Sequence, residues 1–314
     1  MTQLEQLYEA KSLKDFMSKL TSEEVCQKYM EELRWGNDVT CPHCGAHKPY
    51  RILKGKKFRC SNKECRKDFS VTVGSVFEDS KLPFSVWLAA GWLLSAHKKG
   101  ISSCQLARDL GIGQKAAWFV LHRLRHVMGV NGDDDPLENI VEIDETYVGG
   151  KIPNMNRKRR NKIKEAGTDN KTAVMGMVER GGRAKLTVIG KDTFKEVVRK
   201  NVDKKATIST DTHLGYWGLD KEFAAHGMVN HTLQEYRNGI YYTNTVEGFF
   251  SLFKRTIFGT YHQISPKHLQ RYCAESTYRF NSRKSKDKNR FVNLMSNTKG
   301  RLKYNELIEK NQTT

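Results

Sequence analysis

Ile140-Val141-Glu142-Ile143-Asp144-Glu145-Thr146-Tyr147-Val148-Gly149-Gly150 is the stretch on which the fold of this chain turns. It is β-branched and apolar, carries acids in its middle and closes on a Gly-Gly turn, the pattern of a β-strand. A buried strand normally excludes carboxylates, because an ionised one is costly to desolvate unless a cation or partner compensates. Either this strand is open to solvent and bears ordinary surface acids, or one of them has a cation to hold. Glu142 and Asp144 share a face, so alternation alone does not choose between them.

Downstream, strands alternate with helices. Residues 172–179 and 184–189 flank Arg180-Gly181-Gly182-Arg183 and read as a hairpin. Residues 194–202 are helical, and 206–211 form a strand ending in Asp211. An amphipathic helix over 244–257, capped by Thr243 or Asn244, carries Glu247, and a last long helix covers 266–280 before a basic tail. Strand, hairpin, helix, strand, helix predicts an α/β domain with a mixed sheet and flanking helices. Upstream, Gly132-Asp133-Asp134-Asp135-Pro136 is an acidic, turn-rich linker and marks the domain boundary.

Asp144, Asp211 and Glu247 stand out within this domain. Lys254 follows Glu247 by two turns on the same helix face. Two strand-borne acids below a helix with an acid and a base suit phosphodiester chemistry, the carboxylates holding two divalent ions about 3.5–4 Å apart. Mg²⁺, or Mn²⁺, fits such oxygen donors. Taken singly, each acid has another reading; Glu247, for one, would complement a helix dipole. His213, His226 and His231 are either loop residues or part of the site.

Residues 1–36 read as two short helices, the second opened by a capping box in which Glu24 follows Thr21 by three. Within residues 37–80, Cys41-Pro42-His43-Cys44 and Cys60-Ser61-Asn62-Lys63-Glu64-Cys65 are separated by fifteen residues, the spacing of a zinc ribbon. Four thiolates leave no open coordination position, so one Zn²⁺ bound there is structural. Cys26, Cys104 and Cys273 lack such spacing and read as core thiols. Residues 81–131 predict three helices, the last two joined at Gly111-Ile112-Gly113 as in a helix-turn-helix. Gln114 and Lys115 would open a recognition helix, and Arg123 and Arg125 would reach phosphates. A plain helical hairpin is the alternative.

The formal net charge of +19 points to a polyanionic partner, nucleic acid before a membrane surface. The excess is clustered. Residues 151–164, which include Arg157, Lys158, Arg159 and Arg160, hold seven Lys/Arg and no acid, and residues 248–290 hold ten, Lys254 and Arg255 among them, against Glu275 and Asp287. The first sixteen residues lack the apolar core of a secretory signal, and the longest apolar run, 84–96, is too short to span a bilayer. Seven cysteines without a disulfide framework suit a reducing cytoplasm, so the expected location is cytoplasmic and no membrane partner is expected.

The run from Glu142 to Lys151 resembles the first-acid motif of bacterial insertion-sequence transposases of the ISXO-like DDE group. So does Tyr242-Thr243-Asn244-Thr245-Val246-Glu247-Gly248-Phe249-Phe250-Ser251-Leu252-Phe253-Lys254-Arg255, with Gly259-Thr260-Tyr261-His262 and Ser265-Pro266-Lys267-His268-Leu269 after it. The resemblance spans nearly the whole chain. It implies a ribonuclease-H-like catalytic domain over 137–290, a tail over 291–314, and a zinc ribbon and helix-turn-helix that bind terminal inverted repeats of the element. It also implies metal-dependent DNA cleavage and strand transfer into target DNA, with Asp144, Asp211 and Glu247 as the acids. Acting on two ends calls for a homodimer or larger assembly on DNA. A catalytically silent DNA-binding regulator and a structure-specific nuclease are the rival readings.

Overall fold

The computed structural model describes residues 9–130, 135–150, 157–161, 171–190, 192–230, 233 and 236–309. Its chain divides into two compact units, one of Met1–Asn131 with Lys284–Thr314, the other of Gly132–Arg283.

The first unit begins with α1 (Leu13–Lys19) and α2 (Glu23–Trp35). Ser22 rather than Thr21 caps α2, its hydroxyl accepting from the Val25 amide. A small antiparallel sheet follows, β1 (Tyr50–Ile52), β2 (Lys57–Arg59) and β3 (Asp68–Phe69), in the order β1-β2-β3. Trp35 lies edge-on to both Phe58 and Phe69, which gives this little sheet its core.

Three helices come next, α3 (Phe84–Ala96), α4 (Ser103–Leu110) and α5 (Gln114–Val130). Trp87 to Ser95 of α3 are all buried, as expected of a helix that is apolar on every side. Gly111 adopts a left-handed φ of 64° that ends α4.

The carboxyl-terminal residues return to this unit as α10 (Asp287–Ser296) and α11 (Tyr304–Ile308). Phe291, Leu294 and Met295 are buried, and Met295 sits so close over Gly91 that a Cβ there would meet its sulfur at 2.6 Å. The division expected at residue 290, with a basic tail beyond it, falls instead between Arg283 and Lys284. Residues 284–290 leave the α/β unit, and 291–309 are core-forming because their apolar positions close the face of α3.

The second unit carries a five-stranded sheet in the order β6-β5-β4-β7-β8. Its strands are β4 (Ile140–Val148), β5 (Thr172–Glu179), β6 (Ala184–Val188), β7 (Thr207–Asp211) and β8 (Ala225–Val229). The first three run antiparallel, whereas β7 and β8 join parallel to β4. A short helix, α6 (Arg157–Arg160), lies between β4 and β5 in sequence.

Period-two alternation splits the sheet's side chains into two cores. On one face Val141, Ile143, Met175, Met177 and Ile208 pack with Val197 and Val198 of α7 (Phe194–Asn201) and with Tyr216 and Leu219. On the other, Val174, Val178, Ala184 and Leu186 pack with Val246, Phe249, Phe250 and Phe253 of α8 (Asn244–Thr256) and with Leu269 and Cys273 of α9 (Pro266–Asn281).

The β6 edge is closed by side chains of α9. The amides of Ala184, Leu186 and Val188 donate to Asn281, Thr277 and Gln270 at 2.8, 3.1 and 2.8 Å, so this edge offers no row of free amides to another strand.

Cys26 and Cys273 are core residues, as expected, but Cys104 is exposed in the first turn of α4.

Gly176, paired with Asp144 across β5 and β4, sets the approach of α8 to the sheet. A Cβ there would lie 2.6 Å from Phe250 and 2.9 Å from Val246. Gly176→Ala is expected to destabilise the second unit by about 1–3 kcal/mol through overpacking. Urea unfolding of the variant checks this, and an unchanged midpoint would refute the close approach.

Candidate active site

β4 runs on to Val148, whereas its pairing with β7 ends at Glu142 opposite Ser209. Carried two residues further, that register sets Asp144 beside Asp211, the last residue of β7. The carboxyl ends of two parallel strands are where α/β sheets gather ligands. The carboxylates of Asp144, Glu145 and Asp211 come together there, each offering an oxygen within 4.8 Å of the others.

Strand alternation sends Glu145 to the opposite face from Asp144, so the sequence pattern alone makes it a supporting or surface residue. It reaches the cluster because β7 stops pairing with β4 at Glu142, which frees that edge of the strand, while β5 stays paired through Val148. The Tyr216 phenol, fully buried, donates to Glu145 Oε2 at 2.8 Å. Asp144 accepts from the Glu145 amide at 2.8 Å, and Asp211 accepts from the His213 amide at 3.0 Å. The His213 ring stacks on Phe194 and accepts from the Gly215 amide. His226 meets the Thr210 hydroxyl, and His231 lies outside the described residues.

Glu247 stands on the exposed side of α8, outside the tight group of three. Its Oε1 accepts from the Thr243 hydroxyl at 3.0 Å. Burial pushes the Asp144 carboxyl up to about 7, and the charges of Glu145, Asp211 and Glu247 add to the rise. The Glu145 carboxyl is raised by burial too, with the Tyr216 hydrogen bond opposing the shift. Carboxylates crowded in this way are a donor set for a divalent cation, whose charge would relieve their repulsion.

Glu142 is resolved from Asp144 by its partners. It is fully buried and accepts four hydrogen bonds, from Arg180, from the Thr245 amide and hydroxyl, and from the Val246 amide. Its acceptor sites are filled, so Asp144 is the acid of this face left to take a cation.

In the first unit, Cys41, Cys44, Cys60 and Cys65 bring their sulfurs together within 4.8 Å. The Cys44–Cys60 and Cys41–Cys65 separations are 3.4 and 4.0 Å. A tetrahedral site with Zn–S near 2.3 Å puts sulfurs about 3.8 Å apart, so the four fit a structural zinc ion.

The basic residues divide. Lys254 and Arg255 are exposed on α8, and Arg157 and Arg160 are exposed on α6, while the side chains of Lys158 and Arg159 and most of the 151–170 loop lie outside the described residues. Gln114 is exposed and bonds Ser103; Lys115 is exposed with its ammonium over the Tyr304 ring.

Arg123 and Arg125, expected to reach phosphates, are instead 4% and 1% exposed. Both lie where α5 is buried almost all round. Arg123 donates to the Leu302 carbonyl of the returning carboxyl-terminal segment and covers the Phe119 ring, so neither presents a surface charge.

Residues 136–281 match the ISXO2-like transposase domain, and residues 21–68 match the transposase zinc-ribbon domain. A protein of Halobacterium salinarum described as an uncharacterized protein in transposable element ISH50 is 26% identical over 247 residues, 74% of this chain and 83% of that protein. No solved structure matches.

Two outcomes follow from the site. In the folded, metal-free chain Asp144 holds a proton up to about pH 7, well above the ordinary carboxylate range of about 4. Burying this carboxylate among other acids therefore costs little at low pH, and the cost grows as pH rises from about 4 to 7. Asp144→Asn is expected to raise the stability of the metal-free chain at pH 8, by on the order of 2 kcal/mol, with a smaller gain at pH 5. Thermal unfolding in chelator at the two pH values checks this, and a loss of stability at pH 8 would refute it.

For the sulfur cluster, Cys60→Ser is expected to lose the bound zinc and to make residues 40–69 sensitive to protease. Zinc analysis with limited proteolysis reads both, and retained resistance without metal would exclude a structural ion.

Proposed function

The chain belongs to the ISXO2-like DDE transposases, and from that premise we propose that it binds the terminal inverted repeats of an insertion sequence, cleaves DNA at the element ends and joins them to target DNA. The observation that carries this reading is the gathering of Asp144, Glu145 and Asp211 where β4 and β7 end, inside the segment that matches the transposase domain. The strand order β6-β5-β4-β7-β8 supports a ribonuclease-H-like domain.

Asp144, Asp211 and Glu247 are the residues that would hold two Mg²⁺ or Mn²⁺ ions. Bound there, such ions supply the charge that activates an attacking oxygen and steadies the leaving one. In cleavage, water attacks the phosphodiester at the element end, and the bond to the 3′-oxygen breaks to leave a free 3′-hydroxyl. In joining, that hydroxyl attacks a target phosphodiester in line, and the target's own bond from phosphorus to its 3′-oxygen breaks, releasing a target 3′-hydroxyl. No covalent link to protein is needed.

The chain's own residues hold this geometry. The His213 amide fixes one oxygen of Asp211, and the Tyr216 phenol holds Glu145 beside it. Lys254 and Arg255, exposed on the helix that bears Glu247, would take DNA phosphates next to the reacting one, as would Arg157 and Arg160 on α6. Gln114 and Lys115, exposed at the start of α5, would face the groove if α4 and α5 act as a helix-turn-helix, with the zinc ribbon alongside as the end-binding module. Handling two ends together calls for two copies of the chain.

Incubation with end DNA and Mg²⁺ tests the reading. The parent is expected to nick at the element end and to form joined products. Asp211→Asn and Glu247→Gln should each lose about 10³-fold or more of both, the scale of removing charge stabilisation at a reacting centre. Lys254→Ala should weaken binding most at low salt and make it less salt-dependent. End binding without nicking would instead indicate a silent regulator, and hydrolysis without joining or end preference a nuclease.

A further inference from the structure

We propose that Glu142 is a positioning residue for the third acid: it caps the helix that carries Glu247 and so fixes Glu247 relative to Asp144. This rests on the reading of Glu247 as a metal ligand.

Glu142 precedes Asp144 by two on β4 and shares its face. It is 0% exposed, a place where an ionised carboxylate persists only with partners. Its Oε1 accepts from Arg180 Nε at 2.7 Å and from the Thr245 hydroxyl at 2.9 Å. Its Oε2 accepts from the amides of Thr245 and Val246 at 2.7 and 3.2 Å.

Those two amides belong to the first turn of α8, where a helix has no partners of its own to offer. Thr243, at the N-cap position, makes no capping bond to them; its hydroxyl goes to Glu247. The cap is thus supplied by a strand more than a hundred residues away in sequence, the strand that also bears Asp144. Glu247 follows the capped Val246 directly. The path from first acid to third is therefore Asp144, Ile143, Glu142, then one hydrogen bond to Val246, and Glu247.

The segment entering α8 is tied to the same point. Arg180 donates to the carbonyls of Ile240 and Tyr242 at 2.6 and 3.1 Å and lies over the Tyr242 ring. Ser209, paired with Glu142 across β7, also donates to the Tyr242 carbonyl, at 2.8 Å. Glu247 itself is exposed and makes no part of the tight cluster of three, so its distance from Asp144 depends on how α8 is docked. A negative charge at the helix's amino end also suits the helix dipole.

The test is a double-mutant cycle on the full chain, with Mn²⁺ as the probe. Glu142→Gln keeps the size and one acceptor oxygen but removes the charge. It is expected to slow end cleavage on the order of 100-fold and to raise the Mn²⁺ concentration for half-maximal rate about tenfold. Added to Glu247→Gln it should cost nothing more, because it acts through that residue. Thr245→Val, which removes one donor and keeps the shape, should shift the Mn²⁺ demand in the same direction by a few-fold, and it serves if Glu142→Gln does not fold.

Losses that add in the double variant would overturn the proposal. So would losses that follow only the folded fraction in a thermal melt, with the Mn²⁺ demand unchanged. If the parent chain does not cleave end DNA, the proposed function fails on its own terms, and the inference is read from Mn²⁺ binding by electron paramagnetic resonance. Glu142→Gln must then weaken binding as Glu247→Gln does, and equal affinity in Glu142→Gln and parent overturns it.

Discussion

Mutual repulsion among the carboxylates at the ends of β4 and β7 is the constraint to which the second unit is built. Asp144, Glu145 and Asp211 do not stay within 4.8 Å of one another by preference. They are held by strand pairing on one side and by fixed donors on the other: a backbone amide each for Asp144 and Asp211, and a buried phenol for Glu145. Burial lifts the Asp144 carboxyl to about 7, and the neighbouring charges add to the rise. A sheet with two packed faces can carry this repulsion, because both cores resist the strands moving apart. The same repulsion makes the site selective for something small, doubly charged and content with oxygen donors.

β4 has a second task, and it uses the same kind of residue differently. Glu142 and Asp144 share a face, yet one is saturated with hydrogen bonds while the other is left with capacity to spare. What separates them is position along the strand. Glu142 lies where β4 is flanked by both β5 and β7, under the start of α8; Asp144 lies where β7 has stopped pairing with it. Gly176, paired with Asp144, removes the one side chain that would hold α8 off the sheet. Absence of a side chain and presence of a carboxylate, two residues apart, together seat one helix.

Much of this was legible before any coordinates. The β-branched run around Asp144, the hairpin about Arg180 and the helix beginning at Asn244 follow from periodicity, with element ends shifted by a residue or so. Paired cysteines at ribbon spacing gave the sulfur cluster directly. What failed did so for physical reasons. Arg123 and Arg125 read as phosphate contacts by charge alone, although Val120, Leu124 and Val127 around them mark a helix buried on most sides. Phe291, Leu294 and Met295 are scattered among Lys, Arg and Asn, so a core helix looked like a basic tail. β8, short and containing Gly and His, carries little strand signal of its own. Glu145 is hidden by alternation, which puts it on the face opposite Asp144, since strand period says nothing about where a neighbouring strand ends.

The route of the chain has a consequence for its synthesis. α3 is buried by α10, so the first unit is built from segments separated by the entire second unit. A ribosome moving at 5–20 residues per second needs roughly 8–33 s to pass from the end of α5 to Met295. Throughout that time the surface of α3 around Gly91 lacks the Phe291 and Met295 side chains that cover it. The α/β unit, by contrast, is contiguous and is complete in the nascent chain as soon as Arg283 has left the exit tunnel. The amino-terminal unit is thus begun first in translation, yet it receives its last core residues only after the whole α/β unit has been made.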